Sequence, residues 1–118
     1  MIRLPKSVRH VALLVALAAP ALGLVAGHAT SAAPARAQTV SIKMFAFTPQ
    51  VLTVTPGTTV TWTNADEDPH TVAANDKSFH SAALDTDDKY SYTFTKPGEF
   101  AYFCTLHPHM TGKVIVKG

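Results

Sequence analysis

The sequence is short of cysteine, of charge and of any helical period. Cys104 is the only cysteine, so no disulfide can form within the chain, although small domains in oxidising compartments are often stapled by several. A lone thiol in such a compartment is a liability unless it is buried, paired between chains or bound to metal. No segment beyond residue 37 repeats apolar residues at helical spacing over a useful length, which argues against a helical bundle. After Gly27 no run is long and apolar enough to span a bilayer. Arginine is absent from residues 38–118, where six lysines meet eight acidic residues for a formal charge of −2. The +2 of the whole chain therefore belongs to its first residues and implies no nucleic-acid partner.

Those first residues have a processing pattern. Residues 1–10 carry Arg3, Lys6, Arg9 and His10 with no acidic residue, and Val11 to Gly27 is a 17-residue stretch rich in Ala, Leu and Val. Small residues and Ala35-Arg36-Ala37 follow, just before Gln38. A basic head, an apolar middle and a small-x-small site describe a secretory signal peptide over residues 1–37, cut after Ala37 or near Ala32 or Ala33. A retained membrane anchor is the competing reading. Its run falls below the roughly 20 residues of a typical span, and Pro20 interrupts it. No twin-arginine pair is present, so ordinary unfolded export to the periplasm, or another exported location, is expected. Removal of 37 of the 118 residues leaves 81, enough for one small domain over 38–118.

Within that domain, short runs alternate with a period of two. Val40, Ile42 and Met44 alternate with polar neighbours; Val60 and Trp62 alternate with Thr59, Thr61 and Thr63. Tyr90, Tyr92 and Phe94 form another such run, as do Phe100, Tyr102 and Cys104, and Val114 with Val116 closes the chain. Thr48-Pro49, Pro56-Gly57 and Pro97-Gly98 supply bends between them. About seven short strands with turn signals roughly every ten residues predict an all-β, antiparallel β-sandwich. Residues 75–88 are expected to form an irregular connection, Met44 to pack in the core, Trp62 to be a core aromatic and His80 to lie at the surface. The acidic run Asp85 to Asp88 reads as a solvated loop with the capacity to steer a basic partner.

The chemistry is concentrated in Phe103-Cys104-Thr105-Leu106-His107-Pro108-His109-Met110. Cys104 shares strand parity with Phe100 and Tyr102 and is expected to point inward. The turn after it can return His107 and Met110 to the same point, and His70 begins another extended segment. Two imidazoles and a thiolate, with a weak thioether, are the ligand set of a type 1, or blue, copper site. The soft thiolate donates strongly, imidazole suits both copper oxidation states, and the thioether leaves a nearly trigonal centre that changes little on electron gain or loss.

Thr59-Val60-Thr61-Trp62, Pro69-His70, Pro97-Gly98, Tyr102-Phe103-Cys104 and a short Cys-x-x-His-x-x-Met loop ending in Gly112-Lys113-Val114 resemble the cupredoxins, most of all the amicyanins and their plastocyanin relatives. The resemblance spans Val51 to Val116, nearly all of the mature domain. It implies a cupredoxin-like (plastocyanin-like) Greek-key domain, one copper ion bound by His70, Cys104, His107 and Met110, and one-electron transport. Two positions depart from the pattern. Thr71 stands where these relatives have an asparagine, and His109 where an apolar or aromatic residue is expected.

The expected function is thus that of a soluble, monomeric carrier of single electrons between redox proteins, such as a dehydrogenase donor and a cytochrome c-like acceptor. No catalysis is expected. His107-Pro108-His109 is one His-x-His unit, and an oxygen-reducing copper cluster needs several; a dinuclear electron-transfer site needs two cysteines. A copper storage or delivery module is the alternative. Such modules tend to be exposed and rich in Met or His, whereas this thiol is expected to be buried.

Overall fold

The computed structural model describes Gly23 and residues 36–118. From Arg36 onward these belong to one compact unit, Ser31–Gly118. The basic head and nearly all of the apolar stretch of the expected signal peptide lie outside the described residues, as do the alternative cut sites near Ala32 and Ala33. Among the described residues no helix is long and apolar enough to cross a membrane.

Eight strands follow one another: β1 (Ala37–Lys43), β2 (Ala46–Thr48), β3 (Val51–Val54), β4 (Thr58–Asn64), β5 (Ala73–Ala74), β6 (Lys89–Phe94), β7 (Gly98–Phe103) and β8 (Thr111–Val116). They build two four-stranded sheets, in the orders β2-β1-β4-β6 and β3-β8-β7-β5. The result is the all-β sandwich the alternation predicts. Both sheets are mixed, however, since β1 runs parallel to β4 and β3 parallel to β8. Each of these pairs is separated by other chain segments rather than by a hairpin, so nothing in the local sequence fixes its direction.

The alternating strands bury one face each. In β4, Thr58, Val60, Trp62 and Asn64 are buried, while Thr59, Thr61 and Thr63 are half-exposed. On that outer face the hydroxyls of Thr59 and Thr93 meet at 2.8 Å and those of Thr61 and Ser91 at 2.7 Å. These are directly opposed pairs in the β4–β6 register, and each such polar contact supports the pairing by a few tenths of a kcal/mol to about 1 kcal/mol. Inside, Trp62 is fully buried against Tyr102, ring centroids 5.4 Å apart, and Phe79 stacks on it at 5.8 Å. Trp62 is therefore a core aromatic, and His80 is exposed, as expected.

Met44 departs from expectation. It is 81 % exposed, and Phe47 supplies the buried side chain beyond Ile42 instead. Met44 and Phe45 form the two-residue turn between β1 and β2, with φ values of 52° and 56°. Positive φ at both positions is the hairpin geometry that normally calls for Asn or Gly. Met-Phe carries no such signal, so the apolar alternation of the sequence runs straight through the turn.

At the opposite end, Ala37 opens β1 in register with Thr59, and the Arg36 carbonyl accepts the Thr59 N–H at 2.8 Å. β1 therefore runs from the end that holds both Arg36 and the chain's C-terminus to the end that holds the Met44–Phe45 turn.

Candidate metal centre

At that second end, Cys104 leaves β7 and enters a tight loop. The His107 N–H donates to the Cys104 carbonyl at 3.3 Å, the Met110 N–H to the His107 carbonyl at 2.9 Å, and the Cys104 N–H to the Met110 carbonyl at 3.1 Å. Three backbone bonds thus fold residues 104–110 onto themselves. Cys104 is fully buried, Met110 nearly so, and His107 half-buried.

His70 comes from the other side of the loop cluster. It is held by a two-way backbone bridge with Leu84, at 3.1 and 2.7 Å, and is fully buried. The Cys104 sulfur lies 3.8 Å from His70 Nδ1 and 3.7 Å from His107 Nδ1, and all three donor atoms fall within 4.8 Å of one another. Those separations fit an ion about 2.0–2.3 Å from each atom, the usual metal–imidazole and metal–thiolate lengths. The donor types fit copper, through soft sulfur and imidazole nitrogen. The structure thus brings together His70, Cys104 and His107, while Met110 ends the same loop as a buried thioether.

The thiol is prepared for this role. Burial pushes the Cys104 thiol up, but hydrogen bonds to the sulfur, led by the Thr71 N–H at 3.3 Å, together outweigh it. They bring the pKa down to about 6. A thiolate is the form that binds metal.

The two departures are also placed. Thr71 Oγ1 accepts the Thr105 N–H at 2.7 Å and lies 2.8 Å from Thr105 Oγ1, tying the His70 segment to the Cys104 loop. His109 is exposed on the surface beside Leu106, which is 50 % exposed, and Pro108.

Asp66 was not singled out by its sequence. Its carboxylate lies 2.8 Å from His70 Nε2, on the side of the ring away from Cys104. Burial works to raise the Asp66 carboxyl, but the Phe45 and Met44 N–H groups and His70 hold it below the usual carboxylate range. Phe45 was likewise missed. Its ring stands edge-on to both imidazoles, 5.3 Å from His70 and 5.0 Å from His107. The only available signal was the polar Ala65–Pro69 loop just before His70.

Comparison with known proteins agrees with this geometry. A family model described as "Cupredoxin-like domain" matches residues 12–116. The chain is 42 % identical over 90 residues to an amicyanin of Paracoccus versutus, covering 71 % of this chain and 67 % of that one. It is 35 % identical over 105 residues to amicyanin-alpha of Methylorubrum extorquens, covering 85 % and 88 %. Its fold is similar to that of a purple cupredoxin from Nitrosopumilus maritimus, with TM-score 0.66 and 31 % identity over 68 % of this chain and 99 % of that one.

Proposed function

This chain belongs to the cupredoxin-like family, and we propose that it is a mononuclear blue copper protein that carries single electrons between redox proteins. The observation that carries the reading is the convergence of His70 Nδ1, Cys104 Sγ and His107 Nδ1 within 4.8 Å around a thiol already brought down to about 6. His70, Cys104, His107 and Met110 hold the copper. When bound, it supplies a one-electron couple between Cu(I) and Cu(II). The protein supplies the rest. Three of the four donors sit in one loop closed by its own backbone bonds, and the fourth is fixed by Asp66 and Leu84, so little has to move when the charge changes. Four protein ligands leave no position for a substrate, which favours electron transfer over catalysis.

His107 is the donor nearest the surface, and Leu106, Pro108 and Phe45 surround it with apolar area. This is the exchange port. Its partners are redox proteins, in amicyanin fashion a dehydrogenase donor and a cytochrome c-like acceptor, and the domain works as an exported monomer without nucleic acid or lasting membrane insertion. The leader is removed by cleavage. A cut near Ala32 or Ala33 keeps the Arg36 and Ala37 contacts to Thr59, whereas a cut after Ala37 gives them up.

Voltammetry together with chelator challenge tests the function. A carrier gives a reversible one-electron wave and retains Cu(I) against a competing chelator over hours. Rapid surrender of Cu(I) to the chelator, without a reversible wave, would favour storage or delivery instead.

A further inference from the structure

Asp66 stands where three separate parts of the molecule meet. Its Oδ1 accepts the Met44 N–H at 2.7 Å, and its Oδ2 accepts the Phe45 N–H at 3.0 Å while facing His70 Nε2 at 2.8 Å. The residue is itself held from behind. Its own N–H donates to Asn64 Oδ1 at 2.9 Å, and its carbonyl accepts the Thr86 hydroxyl at 2.8 Å. Asn64 is fully buried and donates from Nδ2 to the carbonyls of Asp68 and Leu84. The carboxylate is therefore aimed before any metal arrives.

Two consequences follow from acceptor chemistry. An ionised carboxylate offers no proton, so His70 carries its hydrogen on Nε2 and turns the Nδ1 lone pair toward Cys104. The same carboxylate also satisfies both N–H groups of a turn whose two residues, Met44 and Phe45, have positive φ without being glycine. That turn puts the Phe45 ring edge-on to His70 and His107 together.

We propose that Asp66 is a positioning residue that fixes the His70 tautomer and, through the same carboxylate, hangs Phe45 as a cap over both imidazoles. The buried and the surface imidazole are thereby held by one group. The proposal rests on the copper-carrier reading for its effect on the bound ion, but not for the hydrogen bond itself.

The test compares the protein with its Asp66→Asn and Phe45→Ala variants, metal-free and loaded with Cu(I) or Cu(II). An asparagine can offer its oxygen on one side only and sets an N–H against a donor on the other. A slowly exchanging His70 Nε2–H resonance in nitrogen-15 spectra is expected in the native protein and lost in Asp66→Asn. Copper affinity falls about 10–100-fold, the usual effect of removing the partner of a ligand histidine. The reduction potential moves upward, because a negative charge beside the bound imidazole is gone. Phe45→Ala keeps the resonance but lets it exchange faster with solvent. A folded Asp66→Asn protein with native resonance, affinity and potential would overturn the proposal, as would unchanged exchange in Phe45→Ala. Should Asp66→Asn fail to fold, Asp66→Glu replaces it. One methylene longer, it cannot serve the turn and the imidazole together, and native behaviour there counts against the proposal equally. A native protein that never becomes blue would sink the copper-carrier reading alone, since the metal-free resonance still decides the role of Asp66.

Discussion

The hydroxyl of Thr71 accepts the backbone N–H of Thr105 at 2.7 Å and meets the Thr105 hydroxyl at 2.8 Å. Two segments that each bring a proposed copper donor, 34 positions apart at Thr71 and Thr105, are joined at this point. Thr71→Val keeps the shape and removes the clasp. A single net hydrogen bond contributes about 1 kcal/mol and an abandoned donor somewhat more. Metal-free Thr71→Val is therefore expected to lose about 1–2 kcal/mol in urea denaturation, with Thr71→Ser close to native. The Thr71 N–H bond to the sulfur survives in both, so the visible colour of the copper form is retained.

The low thiol pKa makes metal-free stability depend on pH. In the folded protein Cys104 titrates at about 6, against roughly 8.5 for a free cysteine. Between those values the unfolded chain binds more protons than the folded one, so stability rises with pH across the window and is lost as pH falls through about 6. Thiolate absorbance of the metal-free protein is expected to show that midpoint. In Cys104→Ser the part of the pH dependence lying above pH 7 disappears.

Gly112 of β8 packs face to face with Tyr102 of β7, its partner in the register. A Cβ there would land on the Tyr102 ring at Cζ and its hydroxyl, and Tyr102 is walled in by Trp62, Phe47 and Phe79. Overpacking of this kind costs about 1–3 kcal/mol. Thermal melting of Gly112→Ala is expected to show a loss of that size, and Tyr102→Leu in the same chain to recover part of it. Equal stability of Gly112→Ala and the native protein would contradict the packing.

Leu106 lies beside the half-exposed His107, whereas Thr95 lies at the far end of the sandwich, beyond the Thr58–Phe94 pair that starts β4. Leu106→Glu is expected to slow electron exchange with a protein partner far more than it shifts the reduction potential. Thr95→Glu adds the same charge and leaves the exchange rate near native. Stopped-flow mixing with a purified redox partner reads both, and comparable slowing from the two substitutions would remove the port from the account.

Much of this architecture can be read from local pattern. β4 and β8 bury alternate residues, and β6 and β7 pack Tyr90, Tyr92, Phe94, Phe100 and Tyr102 on the core at the same spacing; side chains that alternate in sequence must face alternately in a strand. The Cys104-x-x-His107-x-x-Met110 spacing shows the donor loop for the same reason: its chemistry is local. The parallel pairing of β1 with β4 cannot be read that way, because it depends on distant segments meeting. Met44 was misplaced because a positive-φ turn was built without glycine, and Asp66 stabilises that turn from 22 and 21 positions away. Asp66 and Phe45 act only once β1, β2 and the loop before His70 have come together, so the local sequence singles out neither.

The central claim is that Cys104 binds copper as a thiolate between two imidazoles, and the visible and EPR spectra of the protein after addition of Cu(II) test it most directly. The account predicts an intense sulfur-to-copper charge-transfer band and a narrow parallel hyperfine splitting, both abolished in Cys104→Ala. A pale product with ordinary splitting, unchanged by Cys104→Ala, would contradict it.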